Sequence, residues 1–420
     1  MRKLRKTVIL CALLAAAVFA PVMTGCGKVY RAPDYNGGDM IIGTWFGPMG
    51  FSANQEGIQE LKDAGVNLGI TNFMPSEPML DIAQGIGFKI LPYYKEWQKG
   101  FSAFDSYKSH PALFGLNVWD EPNLSDFTAI KAEKEQFDKL MPADKTFFVN
   151  LYPGYAPGAN IGGSFEAYVE GYLEEVEPPI VSFDHYPLKI DSGKGTVEIN
   201  DSWFQEIEVM RHAAKKYGDI PMWSIILCSG HGALASPTLA DMRWQMAVNM
   251  TFGVSGIVHY TYPQEGADYK SMVTLSGERT FVFDLVQEAN LEIRKWDNIY
   301  TAFDWQGTAE VDGRNGRYKE MMSLAYAKEI KDVEGIESVV SSENMLLGEF
   351  NGPDGNKGFM LTNAVNPFEE RFAIATVKFD KQYKAVVVYE KGEPRVINLK
   401  KGEAQIRLDA GEGKFLIPLK

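Results

Sequence analysis

Cysteine is scarce in this chain of 420 residues: Cys11, Cys26 and Cys228 are the whole supply. Histidine is scarce too, with five residues scattered as His110, His185, His212, His231 and His259 and no HExxH or CxxC spacing, so no dedicated metal site is implied. No GxGxxG turn or P-loop follows any strand-like run, and no cofactor is called for. Basic residues are outnumbered, 42 against 55 acidic ones, and no basic tract follows the first few positions, which argues against a nucleic-acid partner. Low-complexity tracts and internal repeats beyond a β/α alternation are absent, which excludes a solenoid. What is present is the balance of an ordinary folded protein, 45% hydrophobic and 12% aromatic. The length suits one domain of roughly 250 to 300 residues plus a smaller one, large enough to need no disulfide or metal staple.

The N-terminus opens with Arg2, Lys3, Arg5 and Lys6, then an apolar run from Val8 to Ala20 that is too short to span a bilayer comfortably. This reads as a signal peptide over residues 1–25. Its end, Val22-Met23-Thr24-Gly25-Cys26, resembles the lipobox of bacterial lipoproteins, with Met23 where Leu is commoner. The resemblance implies cleavage before Cys26 and lipidation of that residue, hence an extracytoplasmic protein anchored to a membrane at the cell surface or in the periplasm. Removing residues 1–25 takes away four basic residues and no acidic one, so the net charge of −13 becomes −17. Cys228 is then the one remaining thiol, and no intrachain disulfide can form. Residues 26–39, rich in Gly, Pro, Tyr and Asn, read as a tether.

From Met40 onward, short apolar runs alternate with stretches of helical period. The strand candidates are Met40 to Phe46, Leu68 to Asn72, Lys89 to Tyr93, Phe114 to Asp120, Thr146 to Leu151, Ile180 to His185, Pro221 to Leu227 and Gly256 to Tyr260. Ser125-Asp126 and Ser236-Pro237 supply helix-start signals before Phe127 and Thr238, while the stretch from Ala103 to Ser109 is a weak helix. Eight units in about 260 residues match an α/β fold of the (β/α)8 TIM-barrel kind over residues 40–298. Beyond Trp296 the pattern changes to alternating segments, Phe359 to Thr362, Phe372 to Phe379, Ala385 to Tyr389, Ala404 to Leu408 and Lys414 to Pro418, predicting a C-terminal antiparallel β-sandwich over residues 299–420.

In such a barrel the active site lies at the C-terminal ends of the strands. Those ends carry Trp45 with Phe46, Asn72, Tyr93 with Tyr94 and Trp97, Trp119-Asp120-Glu121, Asn150 with Tyr152, Asp184-His185-Tyr186, His231, and Tyr260 with Tyr262. Aromatic faces suit the C–H faces of sugar rings, and Asn, Asp and His reach hydroxyls, so a carbohydrate cleft is expected. The sharpest feature is Gly115-Leu116-Asn117-Val118-Trp119-Asp120-Glu121-Pro122-Asn123, an apolar strand ending in two adjacent acids before a proline. A carboxyl that protonates a leaving glycosidic oxygen needs a raised pKa, which Asp120 and the Trp119 ring can supply by like charge and desolvation. Glu121 is the candidate general acid; the alternative from the residues alone is an acid pair that caps the next segment or binds a cation at the rim.

These residues resemble the retaining (β/α)8 glycoside hydrolases whose catalytic Glu residues end strands four and seven. In that group strand four usually ends Asn-Glu-Pro, and Asp120-Glu121-Pro122 matches with Asp120 in the Asn place. Looser matches are Ala64-Gly65-Val66-Asn67, Asp184-His185-Tyr186-Pro187 and the stretch from Arg243 to Tyr262, which look like segments of lipoprotein glycosidases. The resemblance implies that Glu121 is the acid/base and that Asp120 contacts the sugar 2-hydroxyl. It departs at strand seven, where Met222 to His231 holds no Glu in the nucleophile's place. Two-carboxylate hydrolysis needs a second acid. Asp184 is the first candidate, Glu265 in the loop after strand eight the second and Asp120 the third; for Asp184 a purely structural partner, Arg243 or His185, stands as the alternative. Cys228 beside Ser229 and His231 reads as a buried strand cysteine rather than a nucleophile. The expectation is a lipid-anchored hydrolase of O-glycosidic bonds in an extracellular poly- or oligosaccharide, against a non-catalytic glycan-binding lipoprotein on a degenerate barrel. Neither the oligomeric state nor the sugar is legible in the residues.

Overall fold

The computed structural model describes residues 30–93, 105–200, 202–314, 322–391 and 393–420. Cys26, Tyr94 and Trp97, and with them the proposed signal peptide and lipidation site, lie outside the described residues. The barrel strands are β1 (Ile41–Trp45), β2 (Leu68–Thr71), β3 (Lys89–Pro92), β4 (Gly115–Asp120), β5 (Thr146–Leu151), β6 (Val181–Asp184), then β9 (Met222–Leu227) and β10 (Gly256–Tyr260). A hairpin, β7 (Leu188–Asp191) with β8 (Thr196–Ile199), is inserted after β6. All eight barrel strands pair in parallel, in the order β3-β2-β1-β10-β9-β6-β5-β4. Bridges Ile90 to Leu113 and Tyr93 to Asn117 bring the two ends of that sheet together and close the barrel.

Every barrel strand lies within a residue or two of its expected span, because a parallel strand buried on both faces reads as a nearly continuous apolar run. One set of side chains fills the lumen: Trp45, Leu68, Ile70, Leu91, Phe148, Trp223, Ile225 and Val258. The alternate set, with Ile42, Ile90, Leu116, Val118, Val149, Phe183 and Ile257, packs against the helices. Those helices are α1 (Gln55–Asp63), α2 (Glu77–Ile86), α3 (Phe127–Leu140), α4 (Phe165–Val176), α5 (Trp203–Lys216), α6 (Leu239–Thr251) and α7 (Phe281–Arg294). Asn54, Ser76, Ser164, Thr238 and Thr280 cap their starts by accepting backbone N–H bonds.

Two expected start signals act differently. Thr238, not Ser236-Pro237, caps α6. Asp126 makes no cap bond to α3 and instead accepts from Asn123 N and Nδ2 at 2.8 and 3.1 Å, closing the turn behind the acidic motif. The weak helix is not seen in its described part, where residues 105–109 form a turn.

After the barrel come β11 (Asp304–Val311), β12 (Ile336–Ser341), β13 (Met345–Asn351), β14 (Lys357–Asn363), β15 (Ala373–Phe379), β16 (Ala385–Glu390), β17 (Glu393–Asn398), β18 (Glu403–Leu408) and β19 (Gly413–Leu419). They form a six-stranded sheet, β11-β13-β14-β19-β16-β17, against a three-stranded one, β12-β15-β18, both antiparallel, as expected of a C-terminal β-sandwich. Their shared core holds Leu347, Phe359, Leu361, Val377, Phe379, Val386, Ile406 and Leu416. The other face of the larger sheet lies on α6, so α6 is covered on both sides, which is why Met242, Trp244, Met246, Val248 and Met250 are all buried. Thr251 and Thr362 share a hydroxyl–hydroxyl bond of 2.7 Å across that seam.

Residues 35–38 are held to the body. Gly37 N donates to Asn298 O at 2.8 Å, Thr301 Oγ1 to Gly38 O at 2.6 Å and Asn356 Nδ2 to Tyr35 Oη at 2.6 Å, while the Tyr35 ring meets Phe303 edge-on. A Cβ on Gly37 would stand 2.3 Å from the Thr301–Ala302 peptide, so only glycine lets the segment lie this close. This contact is at the floor of the barrel, where β1 begins and α7 has just ended.

Candidate active site

The acidic motif is aimed by two backbone departures. A strand alternates its side chains, so adjacent Asp120 and Glu121 would ordinarily face opposite ways. In β4 the ladder slips between Asn117 and Trp119: Asn117 pairs with Phe148, Trp119 with Val149 and Asp120 with Asn150. Val118 is thus the extra residue of a β-bulge, and the slip gives Asp120 the inward parity of Phe148 and Asn150. Glu121 then has φ of 52°, a left-handed value that a non-glycine residue rarely adopts, which brings its side chain to the same cavity. Glu121 N donates to Asn150 O at 2.8 Å, and Pro122 O accepts from Tyr168 Oη at 2.6 Å, so the turn is tied to β5 and α4.

A cavity of about 190 Å³ opens at the C-terminal end of the barrel, lined among the described residues by Trp45, Asp120, Glu121, Asn150, Asp184, Tyr186, Ile225, His231 and Tyr260. That is below the roughly 300–1,000 Å³ of a drug-sized pocket. Asn150 binds two of the acids: its Nδ2 lies 3.2 Å from Asp120 Oδ1 and 2.9 Å from Asp184 Oδ1. Tyr186 and Tyr260 stack at 5.2 Å between centroids, and His231 stacks on Tyr269 at 4.1 Å. His231 Nδ1 is 2.9 Å from Ser229 O, a contact that fixes a proton on Nδ1.

Burial pushes the Glu121 carboxyl up to about 8, with the charges of Asp184 and then Asp120 adding to the rise. Asp184 is pushed up to about 7, again by burial first and Asp120 second, while hydrogen bonds from Asn150 and Tyr186 pull the other way. Tyr93, beside Asp120 at the end of β3, is raised by burial and by that charge.

Seven of the expected site residues therefore surround one cavity: Trp45, Asp120, Glu121, Asp184, Tyr186, His231 and Tyr260. Others stand elsewhere. Trp119, given outward parity by the bulge, and Tyr152 pack against the layer between barrel and helices. Asn72 is exposed. Tyr262 is buried, its N–H on Trp45 O at 3.0 Å. Glu265 is exposed at the rim, where it accepts from Tyr260 Oη at 3.0 Å, and it does not line the cavity.

His185 is 1% exposed, its Nδ1 2.7 Å from Glu206 Oε2 and its Nε2 2.9 Å from Asn200 Nδ2. The alternative partners considered for Asp184 are thus engaged elsewhere, since Arg243 is held by Glu292 at 2.6 Å. His259 faces α7 and bonds Asn290 at 2.8 Å, away from the other histidines. Cys228 is buried, and burial raises its thiol, the opposite of what a nucleophile needs.

Sequence reasoning placed Asn150 among the strand-end residues that reach hydroxyls but did not connect it to the acids, and passed over Ile225, which stands on the cavity wall in β9, the strand where the resemblance implies a nucleophile. Tyr155, whose ring meets His185 edge-on at 4.9 Å, lies in a loop that carries no signal of its own. Among the described residues no group of three His, Cys, Asp or Glu side chains is arranged to hold a metal ion.

No protein-family profile matches the chain, and no curated protein matches it. Similar solved structures include α-galactosidase I of Mortierella vinacea, 11% identical over 91% of this chain and 97% of that one, with a TM-score of 0.48. An α-amylase of Anoxybacillus is 9% identical over 90% of this chain and 98% of that one, with a TM-score of 0.47. A β-L-arabinopyranosidase of Geobacillus stearothermophilus, in complex with arabinose, is 11% identical over 91% and 97% of the two chains, with a TM-score of 0.42.

Proposed function

We propose that this chain is a glycoside hydrolase in which Glu121 is the general acid and Asp184 its carboxylate partner. The observation that carries the reading is the convergence of Asp120, Glu121 and Asp184 on one small cavity walled by Trp45, Tyr186 and Tyr260. Glu121, with its carboxyl near 8, keeps its proton at neutral pH and delivers it to the leaving glycosidic oxygen. Asp184, ionised over part of the same range, either attacks the anomeric carbon or takes the proton of an attacking water. The aromatic walls hold the sugar's C–H faces, and Asp120 and Asn150 reach its hydroxyls. Glu265 stands outside this arrangement, which favours Asp184 over it.

The substrate is an extracytoplasmic poly- or oligosaccharide, and the protein is held to the membrane through a lipid on Cys26. Sequence features of residues 1–26 support that placement. The chain enters the body at the barrel floor, at most about 30 Å of extended chain separates Cys26 from Tyr35, and the cavity opens at the other end. An anchored molecule therefore presents its mouth away from the lipid surface. Replacing Cys26 by Ser should move the protein from the membrane fraction to the soluble one; unchanged membrane association refutes the anchor.

A second reading, a glycan-binding protein without turnover, is favoured by one observation: Ile225 lines the strand-seven side of the cavity, where a carboxylate is absent. Product chromatography separates the two. The chain from residue 28 onward is incubated with plant, algal and host glycans beside Glu121→Gln. Products from the wild type alone support the hydrolase; retained glycan binding with no products from either protein overturns it.

A further inference from the structure

Three carboxyls share one cavity, and the hydrogen-bond donors around them are distributed unevenly. The register places the donor that two of them share on β5. Asp120 of β4 and Ser182 of β6 are both direct neighbours of Asn150, and Asp184 follows two residues after Ser182 on the same face. Asn150 is 2% exposed and its amide is fully used: Nδ2 serves Asp120 Oδ1 at 3.2 Å and Asp184 Oδ1 at 2.9 Å, and Oδ1 accepts from Ser182 Oγ at 3.1 Å. The alternative amide orientation would turn an acceptor oxygen toward two carboxylates, which only accept when ionised, so the carboxylates select this orientation and the Ser182 hydroxyl donates to the oxygen it leaves. Donors favour the ionised form of the group they serve. Among the described residues no side-chain donor is paired with the Glu121 carboxyl; the Asn150 backbone carbonyl takes the Glu121 N–H instead.

We infer that Asn150 is a positioning residue that biases the protonation pattern of the cluster: its amide, whose oxygen is held by Ser182, favours the ionised forms of Asp120 and Asp184 and so leaves the proton on Glu121. The link to turnover rests on the hydrolase reading; the protonation pattern itself does not. Among the described residues, the other titratable groups around the cluster are Tyr93 at the end of β3, Tyr155 after β5, His185 and Tyr186 after β6, His231 after β9 and Tyr260 on β10. No Lys or Arg lines the cavity among the described residues. Tyr186 also donates to Asp184, so Asn150 is the donor that Asp120 and Asp184 share.

The test uses Asn150→Ala and the milder Ser182→Ala in the full chain. With the amide gone, the ionisation of Asp184 should move up by roughly one to two pH units, the amount a charge-assisted hydrogen bond supplies. Because Asp184 is then less often charged, Glu121 should lose its proton at a lower pH than in the wild type. The order of the two ionisations should therefore reverse, so that the pair with Asp184 charged and Glu121 protonated becomes a minority: the peak of kcat should fall, its pH optimum should move upward and KM should change less, with Ser182→Ala showing the same pattern in smaller measure. A uniform loss of activity with the pH optimum unmoved would mean that Asn150 is merely structural, and overturns the inference. If Asn150→Ala does not fold, Ser182→Ala carries the test. Infrared titration of the carboxyls in protein with 13C-labelled aspartate reads the same shift without substrate. Thus, if the wild type cleaves no glycan, the hydrolase reading fails while an upward move of Asp184 still supports the role of Asn150, and an unmoved Asp184 overturns it.

Discussion

Replacing Glu121 by Gln is expected to abolish turnover and at the same time make the fold more stable near neutral pH. The native carboxyl titrates near 8, against 4.5 for an unperturbed glutamate, because it is partly buried beside two other acids. A native value above the unfolded one means that the native state binds more protons between the two. Stability from this group is therefore fully present below about 4.5 and is lost as pH rises toward 8. At pH 7 the loss extends over about 2.5 pH units, which at about 1.4 kcal/mol each sets an upper bound of about 3.4 kcal/mol. Glu121 retains contact with solvent, and screening reduces this to about 1–2 kcal/mol. Glutamine keeps the shape without the charge, so it should recover that amount at pH 7 to 8 and almost none at pH 4. With an unfolding entropy of about 2.1 cal/mol/K per residue, a barrel of roughly 260 residues gains about 2–4 °C in Tm. Scanning calorimetry of both proteins at pH 4, 7 and 8, beside the activity assay, measures this. A Tm difference that is the same at all three values, or a glutamine variant less stable at pH 8, refutes the assignment of a retained proton to Glu121.

Turnover itself should rise with pH as Asp184 ionises near 7 and fall as Glu121 loses its proton near 8, giving a narrow optimum in initial-rate profiles; a rate that stays flat from pH 5 to 9 counts against both roles. Asp184→Asn should cost roughly 10²- to 10⁴-fold in kcat, whereas Glu265→Gln removes only a rim charge, leaving an oxygen that can still accept from Tyr260, and should change kcat by no more than about threefold, a loss too small for a general acid or base. A collapse of activity in the Glu265 variant would transfer the partner's role to it. Gly37→Ala places a Cβ against the Thr301–Ala302 peptide and should release the segment around Tyr35, making the chain cleavable after Arg31 by trypsin at a cost of about 1–2 kcal/mol. Protease resistance equal to that of the wild type would show that the segment is not held there.

The barrel was legible because its signal is local: a strand buried on both faces needs consecutive apolar residues, and a helix that covers it needs them at helical spacing. The C-terminal strands were legible where they alternate, as β15 and β18 do. They were not where other forces intrude. In β13 the buried Glu349 is balanced by Lys328 and by Lys357 of β14, which breaks the apolar pattern. In β17 nearly every side chain is exposed, so the strand has no apolar face to read.

The site divides in the same way. The acid pair before Pro122 announces itself, but which strand-end side chains look inward is a matter of register. His185 sits next to Asp184 in the chain and yet turns to Glu206 on α5. Trp119 and Asp120 exchange their expected sides because one ladder slips at Val118, a residue type that gives no hint of a bulge. The slip alone would supply only Asp120. It takes the left-handed turn at Glu121 as well to bring two neighbours in sequence to one cavity, opposite Asp184 from a strand two places away around the barrel. The cluster is thus held in a conformation that its own residues resist, by like charge and by backbone strain, and the bonds from Asn150, Tyr168 and Tyr186 are what oppose that resistance. A sequence displays the acids; it does not display the partners that make their crowding tolerable, because those come from β5, α4 and the loop after β6 and meet only when the barrel closes.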